Sequence, residues 1–132
     1  MDGIIGQTNS FFLKNLLDYQ KVLSQRNALL KYFAFNHTFD QKTLEIYDHQ
    51  LVELSKPLYQ ARIEFIAAYL PLFIARYQFI STAGEEIDLV YSTELSDLSM
   101  QNLLKRNLAK DKLLKYTSSG IHKDDLDFLL GG

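Results

Sequence analysis

Residues 11–33 read FFLKNLLDYQKVLSQRNALLKYF, and the spacing of their large apolar side chains predicts an amphipathic α-helix. Steps of three and four residues bring one set of these side chains to a single face of the helix: Phe12, Leu16, Tyr19, Leu23, Leu30 and Phe33. Asn9 or Ser10 can cap the helix, because a short polar side chain accepts a hydrogen bond from a free backbone N–H of the first turn.

Arg26 falls on this apolar face, between Leu23 and Leu30. A charged side chain in an apolar surrounding is costly unless it is paired. We therefore expect a buried ion pair that sets the register of the helix, with Asp48 or Glu64 as the partner. The alternative is that Arg26 and its neighbour Asn27 present a polar contact to DNA or to another domain.

A second long helix is predicted from about residue 41 to about residue 79. The stretch FNHTF at 35–39 ends the first helix, and Thr38 or Asp40 can cap the second. Pro57 and Pro71 lie inside it and predict a kink or a break. Its apolar face runs through Leu51, Leu54, Leu58, Arg62, Phe65, Tyr69, Leu72 and Arg76. Two long helices with a short polar link predict an antiparallel helical hairpin over residues 9–80.

The pattern changes after the second helix. Alternating apolar and polar residues on either side of Ala83-Gly84 predict a β-hairpin over about 79–92. Helical spacing returns over about 98–115, with Asp97 or Ser99 as the cap and five side chains inward: Met100, Leu103, Leu104, Leu108 and Leu113. A polar turn and a strand occupy 117–132. The predicted fold class is mainly α (α+β): one domain over 1–132, a helical hairpin or bundle with a small β-hairpin and a C-terminal return strand.

Composition limits the class of protein. The chain has 132 residues, no cysteine and a net charge of −2. It offers no disulfide framework, and a cytoplasmic location is expected. The N-terminus lacks the features of a signal peptide, and the longest apolar run, residues 65–75, is too short to span a bilayer. We expect no membrane partner.

The sequence contains no phosphate-binding loop, no dinucleotide fingerprint and no nucleophile elbow. We therefore expect no catalytic residue in this chain. His122, Asp124 and Asp125 form its densest polar cluster. This cluster has two interpretations: a metal or proton-transfer site, or a turn whose Asp side chains accept backbone hydrogen bonds before a strand. We prefer the turn and expect no metal site.

One short segment is strongly basic. Residues 101–116 carry five basic side chains and one acidic, a local net charge of +4, whereas residues 36–100 carry four basic and ten acidic. The cations could form a strip that contacts DNA phosphates, or an ordinary solvated helix face: Lys105, Arg106, Lys110, Lys112 and Lys115.

Several motifs in a fixed order resemble the RecF family over the whole chain. The first is matched by Leu23, Arg26, Asn27, Leu29, Leu30 and Lys31. The second is matched by Asp48, Leu51 and Arg62. The third is matched by Lys110-Asp111, Thr117 and the run Gly120, Ile121, His122, Lys123, Asp124, Asp125 and Leu126. The chain departs from the family pattern at three places. Ile121 stands where the family has proline, Lys110 and Lys123 stand where it has arginine, and Lys115-Tyr116 stands where it has glycine-arginine.

The resemblance implies an ATPase of the SMC/ABC kind in which this chain is an inserted helical arm. On this reading the phosphate-binding loop lies upstream, and the signature and Walker B motifs lie downstream. ATP and Mg²⁺ would be cofactors of the whole protein, and the arm alone would have none. The implied partners are DNA at single-/double-strand junctions, RecR, RecO and the RecA pathway. The implied processes are DNA repair, recombination, replication restart and the SOS response.

Two structural expectations accompany this reading. The run from Gly120 to Leu126 is expected to act as a hinge between arm and ATPase head. The terminal strand, from Leu126 to Leu130, is expected to expose an edge, which favours self-dimerisation of the arm. The rival functions are a stand-alone helical protein-interaction module that does not contact DNA, and a small metal hydrolase built on His122 and its neighbouring aspartates.

Overall fold

The computed structural model describes the backbone of residues 1–80, 86–96 and 98–131; it does not describe the side chains of 73, 74, 76–80, 86–89, 96 and 127–131. In chain order the elements are α1 (Asp2–Thr8), α2 (Ser10–Asn36), α3 (Gln41–Ile80), β1 (Glu86–Ser92), α4 (Met100–Arg106), α5 (Leu108–Leu114) and β2 (Asp125–Gly131). Single 3₁₀ turns lie at Glu94–Ser96 and Ile121–Lys123. The mainly α fold class is confirmed.

Helices α2 and α3 form the antiparallel hairpin. Asn9 caps α2, since its side-chain oxygen accepts a hydrogen bond from the Phe12 N–H at 3.0 Å. The helix ends at His37, which adopts the left-handed conformation with φ 51° and donates its N–H to the Phe33 carbonyl. Asp40 then caps α3, accepting from the Lys42 N–H at 3.1 Å. The chain therefore reverses direction within the short link between the two helices.

The core lies between the two long helices and the return of the chain. One cluster lies along the hairpin and under α4: Ile5, Phe12, Tyr19, Val22, Leu51, Leu58, Met100, Leu104 and Ile121. A smaller cluster at the tip contains Leu30, Phe33 and Leu44. The predicted inner face of α2 is confirmed, with Phe12, Tyr19, Leu30 and Phe33 all buried.

Helix α3 continues through both prolines, so a break at either one is ruled out. Its inner face is buried at Leu51, Leu58 and Arg62, as predicted. Further along, the predicted inward positions of Tyr69 and Leu72 are wrong, since these side chains are 43% and 60% exposed. The reason is length: α3 has 40 residues and α2 has 27, so the far end of α3 extends past the start of α2.

The side chain of Arg76, which was also predicted to point inward at this end of α3, lies outside the described residues. Helix α1, which the sequence did not predict, packs against both α2 and α3.

The sheet differs from the predicted β-hairpin. Strand β1 pairs antiparallel with β2, in a register that joins Ser92 to Asp125 and Glu86 to Gly131. The first arm of the predicted hairpin begins at about residue 79, but residues 79 and 80 belong to α3, and 81–85, with the predicted Ala83-Gly84 turn, lie outside the described residues. The predicted return strand is thus the partner of β1.

The predicted helix over 98–115 is two helices in the structure, separated at Asn107. Ser99 caps the first, accepting from the Asn102 N–H at 3.3 Å, whereas the alternative cap, Asp97, lies outside the described residues. Leu103 and Leu104 are buried as predicted, but Leu113 is 80% exposed and its inward assignment is wrong. The break at Asn107 interrupts the helical period, so the spacing of α4 does not carry over to Leu113.

In the described part of the chain, no helix is long and apolar enough to cross a membrane.

Candidate functional site: the return turn and the basic segment

Arg26 lies at the centre of a buried ionic cluster that joins three parts of the chain. Its side chain is fully buried, and its Nε donates to Asp48 Oδ1 at 2.6 Å. Its Nη1 donates to Asp111 Oδ2 and to Thr117 Oγ1, both at 2.9 Å. The predicted pairing with Asp48 is confirmed, whereas Glu64 accepts from Gln60 instead. The arginine therefore ties α2 to α3, to α5 and to the residues after α5.

Residues 117–125, here called the return turn, are held by side chains of the hairpin and of α5. Asn27 Oδ1 accepts from the Thr117 N–H at 2.7 Å and from the Thr117 hydroxyl at 2.8 Å. Asp111, also fully buried, accepts from the Ser118 N–H at 3.0 Å. Arg26 and Asn27 thus have the structural role that the sequence favoured, but they hold the return turn as well as α3.

Arg62 forms a second cluster at the other end of the return turn. It donates to both carboxylate oxygens of Asp2, at 2.9 and 2.7 Å, and to the Ile121 carbonyl at 2.8 Å. It also pairs with Asp124 at 3.1 Å, and Tyr91 donates its hydroxyl to the same Asp124 oxygen. Burial alone would lower the pKa of Arg62. The hydrogen bonds and the charge of Asp2 outweigh burial, so the pKa of Arg62 is raised above its ordinary value.

His122 is engaged on both ring nitrogens. Nε2 lies 2.9 Å from the Thr117 carbonyl, and Nδ1 lies 2.9 Å from the Tyr19 hydroxyl. Because a carbonyl only accepts, Nε2 carries the proton and Tyr19 donates to Nδ1 of a neutral ring. Burial lowers the pKa of His122 and raises that of Tyr19, so both groups are held in their neutral forms.

Gly120 allows this close approach. Its φ of 124° is a conformation that side chains rarely adopt, and a Cβ there would lie 2.7 Å from both the Tyr19 hydroxyl and the Met100 Cε. The return turn can therefore pack against α2 in this way only with glycine at this position.

The remaining residues of the predicted polar cluster lie further out. Asp125 is exposed and accepts from the Leu126 N–H at 2.9 Å, and Lys123 lies 5.6 Å from the centre of the Tyr116 ring. The interpretation as a turn before a strand thus agrees with the geometry. Within the described ranges, no group of three or more His, Cys, Asp or Glu side chains could hold a metal ion.

The five cations of the basic segment are all exposed, but they lie on two short helices and at the end of the second. Arg106 pairs with Glu94 at 3.3 Å, and Lys112 Nζ lies 4.0 Å above the Phe39 ring. In the described part of the chain, no ion pair forms at Lys105, Lys110 or Lys115. The five cations are therefore divided between two helices, whereas the sequence suggested one helix.

Several residues of the buried clusters were not assigned to them from the sequence, among them Asp2, Tyr91, Asp111 and Thr117. No sequence pattern around Asp2 or Tyr91 indicates a contact to the Arg62 cluster, because these residues are far from Arg62 along the chain and meet it only in the folded protein. Asp111 carried a usable signal: it is the only acidic side chain among five cations in its segment, and a lone opposite charge of this kind suggests a specific partner.

The chain is similar in sequence to RecF proteins of several bacteria. A relative from Flavobacterium johnsoniae, the DNA replication and repair protein RecF, is 50% identical over 128 residues, which is 97% of this chain and 36% of the relative. The RecF protein of Lachnoclostridium phytofermentans is 37% identical over 132 residues, all of this chain and 36% of the relative. The chain thus spans about a third of the length of these relatives. No family model matches.

A solved structure of the recombination mediator protein RecF with ATP, from the RecFOR pathway, superposes with a TM-score of 0.88 at 23% identity. The superposition covers 99% of this chain and 37% of the solved chain. At this identity the likeness establishes the fold.

Proposed function

Because the chain corresponds over its whole length to a segment of RecF proteins, we propose that it is the helical arm of a RecF-like DNA replication and repair protein. The observation that carries the proposal is the 50% identity to a RecF protein over 97% of this chain. In this proposal the arm helps to hold duplex DNA, and the whole protein acts with RecO and RecR to load RecA at gaps.

The cations of the basic segment are the proposed contacts to DNA. Lys105, Lys110 and Lys115 are exposed and have no carboxylate partner among the described residues, so they are free to replace counterions on phosphates. Contacts of this kind set position and affinity without reading sequence. The acidic side chains of α3 would repel the DNA backbone from their own side of the arm.

We propose that the return turn is a stiff joint rather than a hinge. Arg26, Asn27 and Arg62 reach it from the hairpin, and His122 and Asp124 are bonded back to the hairpin or to β1. A movement within the turn would have to break several buried polar contacts at once. If the strands β1 and β2 move, the joint would move the helical hairpin with them as one rigid unit.

Binding of ATP and Mg²⁺ is proposed for parts of the parent protein outside these residues. The support is the solved relative, which is a complex with ATP. Dimerisation and the contacts to RecR, RecO and RecA are proposed for the whole protein. Catalysis is not proposed for this chain.

Binding to a tailed duplex, followed by fluorescence anisotropy across a salt series, tests the proposal. We expect salt-sensitive binding, and a Lys105→Glu, Arg106→Glu, Lys110→Glu variant should reduce the slope of log K against log salt by about 0.9 for each phosphate interaction that it removes. The matched control reverses three exposed lysines elsewhere: Lys14→Glu, Lys21→Glu and Lys56→Glu.

Equal reductions of affinity in both triple variants would show a non-specific effect of charge. Absence of binding to the tailed duplex at low salt would contradict a DNA-contacting role for this arm. It would then favour the protein-interaction module, for which the exposed Phe35 and Leu113 side chains, at 85% and 80%, provide apolar contacts.

A further inference from the structure

A cavity of about 350 Å³ opens at the tip of the hairpin, where α2, the connection to α3 and α5 meet. Seven residues line it: Leu30, Phe33, Ala34, His37, Thr38, Phe39 and Lys112. This volume is near the lower limit for ligand pockets, so the cavity suits a single ring-sized group. We call it the tip cavity.

Aromatic rings and one ammonium group form the recognisable part of its wall. The Phe33 and Phe39 rings meet edge to face, with centroids 5.3 Å apart and planes at 68°. Lys112 Nζ lies 4.0 Å above the Phe39 ring. Because Lys112 is exposed and a cation–π contact at an exposed site is weak, its side chain can turn away and uncover the ring.

Among the described residues that line the tip cavity there is one lysine, Lys112, and no Asp or Glu, so the charge of its lining is positive. Asp111, next to Lys112, is buried and bonded to Arg26 and Ser118. Asp40, next to Phe39, accepts from the Lys42 N–H at 3.1 Å and from the Thr43 hydroxyl at 2.8 Å. Within the described ranges, no ion pair forms at Lys112. The cavity therefore complements a flat apolar group that carries a negative charge beside it.

We propose that the tip cavity binds one base of single-stranded DNA, with the base against Phe39 and the Lys112 ammonium moved onto the adjacent phosphate. Aromatic side chains combined with lysines are how proteins hold single strands without reading sequence. This inference rests on the proposed function and adds a single-strand contact to it. A repeating polyanion is favoured over an acidic peptide, since Lys115, three residues after Lys112 at the end of α5, is a second exposed cation.

The experiment measures anisotropy of a labelled oligo-dT strand and, in parallel, of a blunt duplex. Phe39→Leu keeps an apolar side chain but removes the ring, and we expect it to weaken oligo-dT binding at least about fivefold. Its control is Phe35→Leu, which removes an 85% exposed ring outside the cavity and should change binding less than about twofold. Lys112→Gln should lower the single-strand salt slope by about 0.7, whereas Lys14→Gln should not.

Blunt-duplex binding should stay within about twofold in both cavity variants, which separates this inference from the proposed function. A second measurement, independent of substitutions, is photocrosslinking of a 5-iododeoxyuridine strand to the unmodified chain. The expected crosslinked peptide contains Phe33 or Phe39.

The inference is overturned if oligo-dT does not bind, if the two Phe→Leu variants lose affinity equally, or if the crosslink maps elsewhere. An acidic peptide that contains an aromatic residue serves as a competitor. The inference is also overturned if this peptide displaces oligo-dT only when Lys112 is present, while the oligo-dT strand gives no crosslink in the cavity. Loss of tailed-duplex binding as well would be the separate failure of the proposed function.

Discussion

Two arginines on the inner faces of the hairpin hold the residues that follow α5. Arg26 and Arg62 are buried, and each meets two carboxylates and one further oxygen of the return turn. A planar guanidinium can do this because its donors point in fixed, divergent directions. Each arginine therefore connects elements that are far apart in the chain.

Arg26→Ala should lower the free energy of unfolding by about 3–5 kcal/mol, because it leaves the buried Asp111 carboxylate without its counterion. Urea denaturation measures this decrease. Arg106→Ala is the control: its pair with Glu94 is largely exposed, and its removal should cost under about 1 kcal/mol. A decrease below about 1 kcal/mol for Arg26→Ala would show that the cluster contributes little to stability.

Gly120→Ala should destabilise the protein by about 1–3 kcal/mol, through backbone strain at φ 124° and contact of the new methyl group with Tyr19 and Met100. Gly3→Ala is the opposite case, since Gly3 lies in α1 with open space around its Cβ position. We expect it to stabilise by about 0.5–1 kcal/mol. Thermal unfolding of both variants measures these changes. An unchanged stability of the Gly120→Ala variant would mean that the return turn can move away from α2.

At the scale of elements, α3 shows how packing overrides local preference. It spans 40 residues and includes two prolines, either of which disfavours a helix interior. Leu51 and Leu58, both fully buried, lie on either side of Pro57 and hold the helix on α2. Pro71, by contrast, is next to Leu72, whose side chain is exposed.

Pro71→Ala should therefore stabilise the protein by about 1–3 kcal/mol, since it restores a backbone donor and removes a ring clash without a penalty in packing. Chemical denaturation is the measurement. Pro57→Ala serves as the comparison and should give a smaller gain, because Pro57 is half-buried and alanine cannot replace the packing of its ring. Destabilisation by Pro71→Ala would indicate that the ring has a packing role there.

The long elements could be predicted from the sequence, and the short ones could not. The 3.6-residue period of α2 and α3 extends over many turns, so the bounds and most of the inner faces follow from spacing. Residues 100–114 offer too few turns for spacing to reveal the break at Asn107. The pairing of β1 with β2 was not predicted, because local alternation indicates a strand but not which strand lies beside it.

At the scale of the whole molecule, stability should depend on the protonation of His122. Burial, aided by the charge of Lys123, lowers the pKa of this ring, while the Thr117 carbonyl, Asp124 and Asp111 oppose that shift. Because the folded state holds the neutral ring, the unfolded state binds more protons below about pH 6.5. Stability should therefore fall as the pH falls through this range, until the ring also protonates in the folded state.

The slope from this one group cannot exceed about 1.4 kcal/mol per pH unit. Urea denaturation at a series of pH values should show the slope in the unmodified protein and a shallower one in His122→Gln, which cannot titrate. Identical pH profiles for the two proteins would show that the ring titrates in the same range whether the chain is folded or not.

The sequence by itself determined the helical hairpin, the buried faces of its helices and the need for a partner at Arg26, since these depend on periodicity and on the cost of an unpaired charge. It also carried the resemblance to RecF proteins. Only the tertiary structure decided that Asp111, Thr117 and Asp2 complete the ionic clusters, that β1 pairs with β2, and that Phe39 and Lys112 meet at the tip cavity. These contacts join residues tens of positions apart, and the distance between such residues is fixed by packing rather than by spacing along the chain.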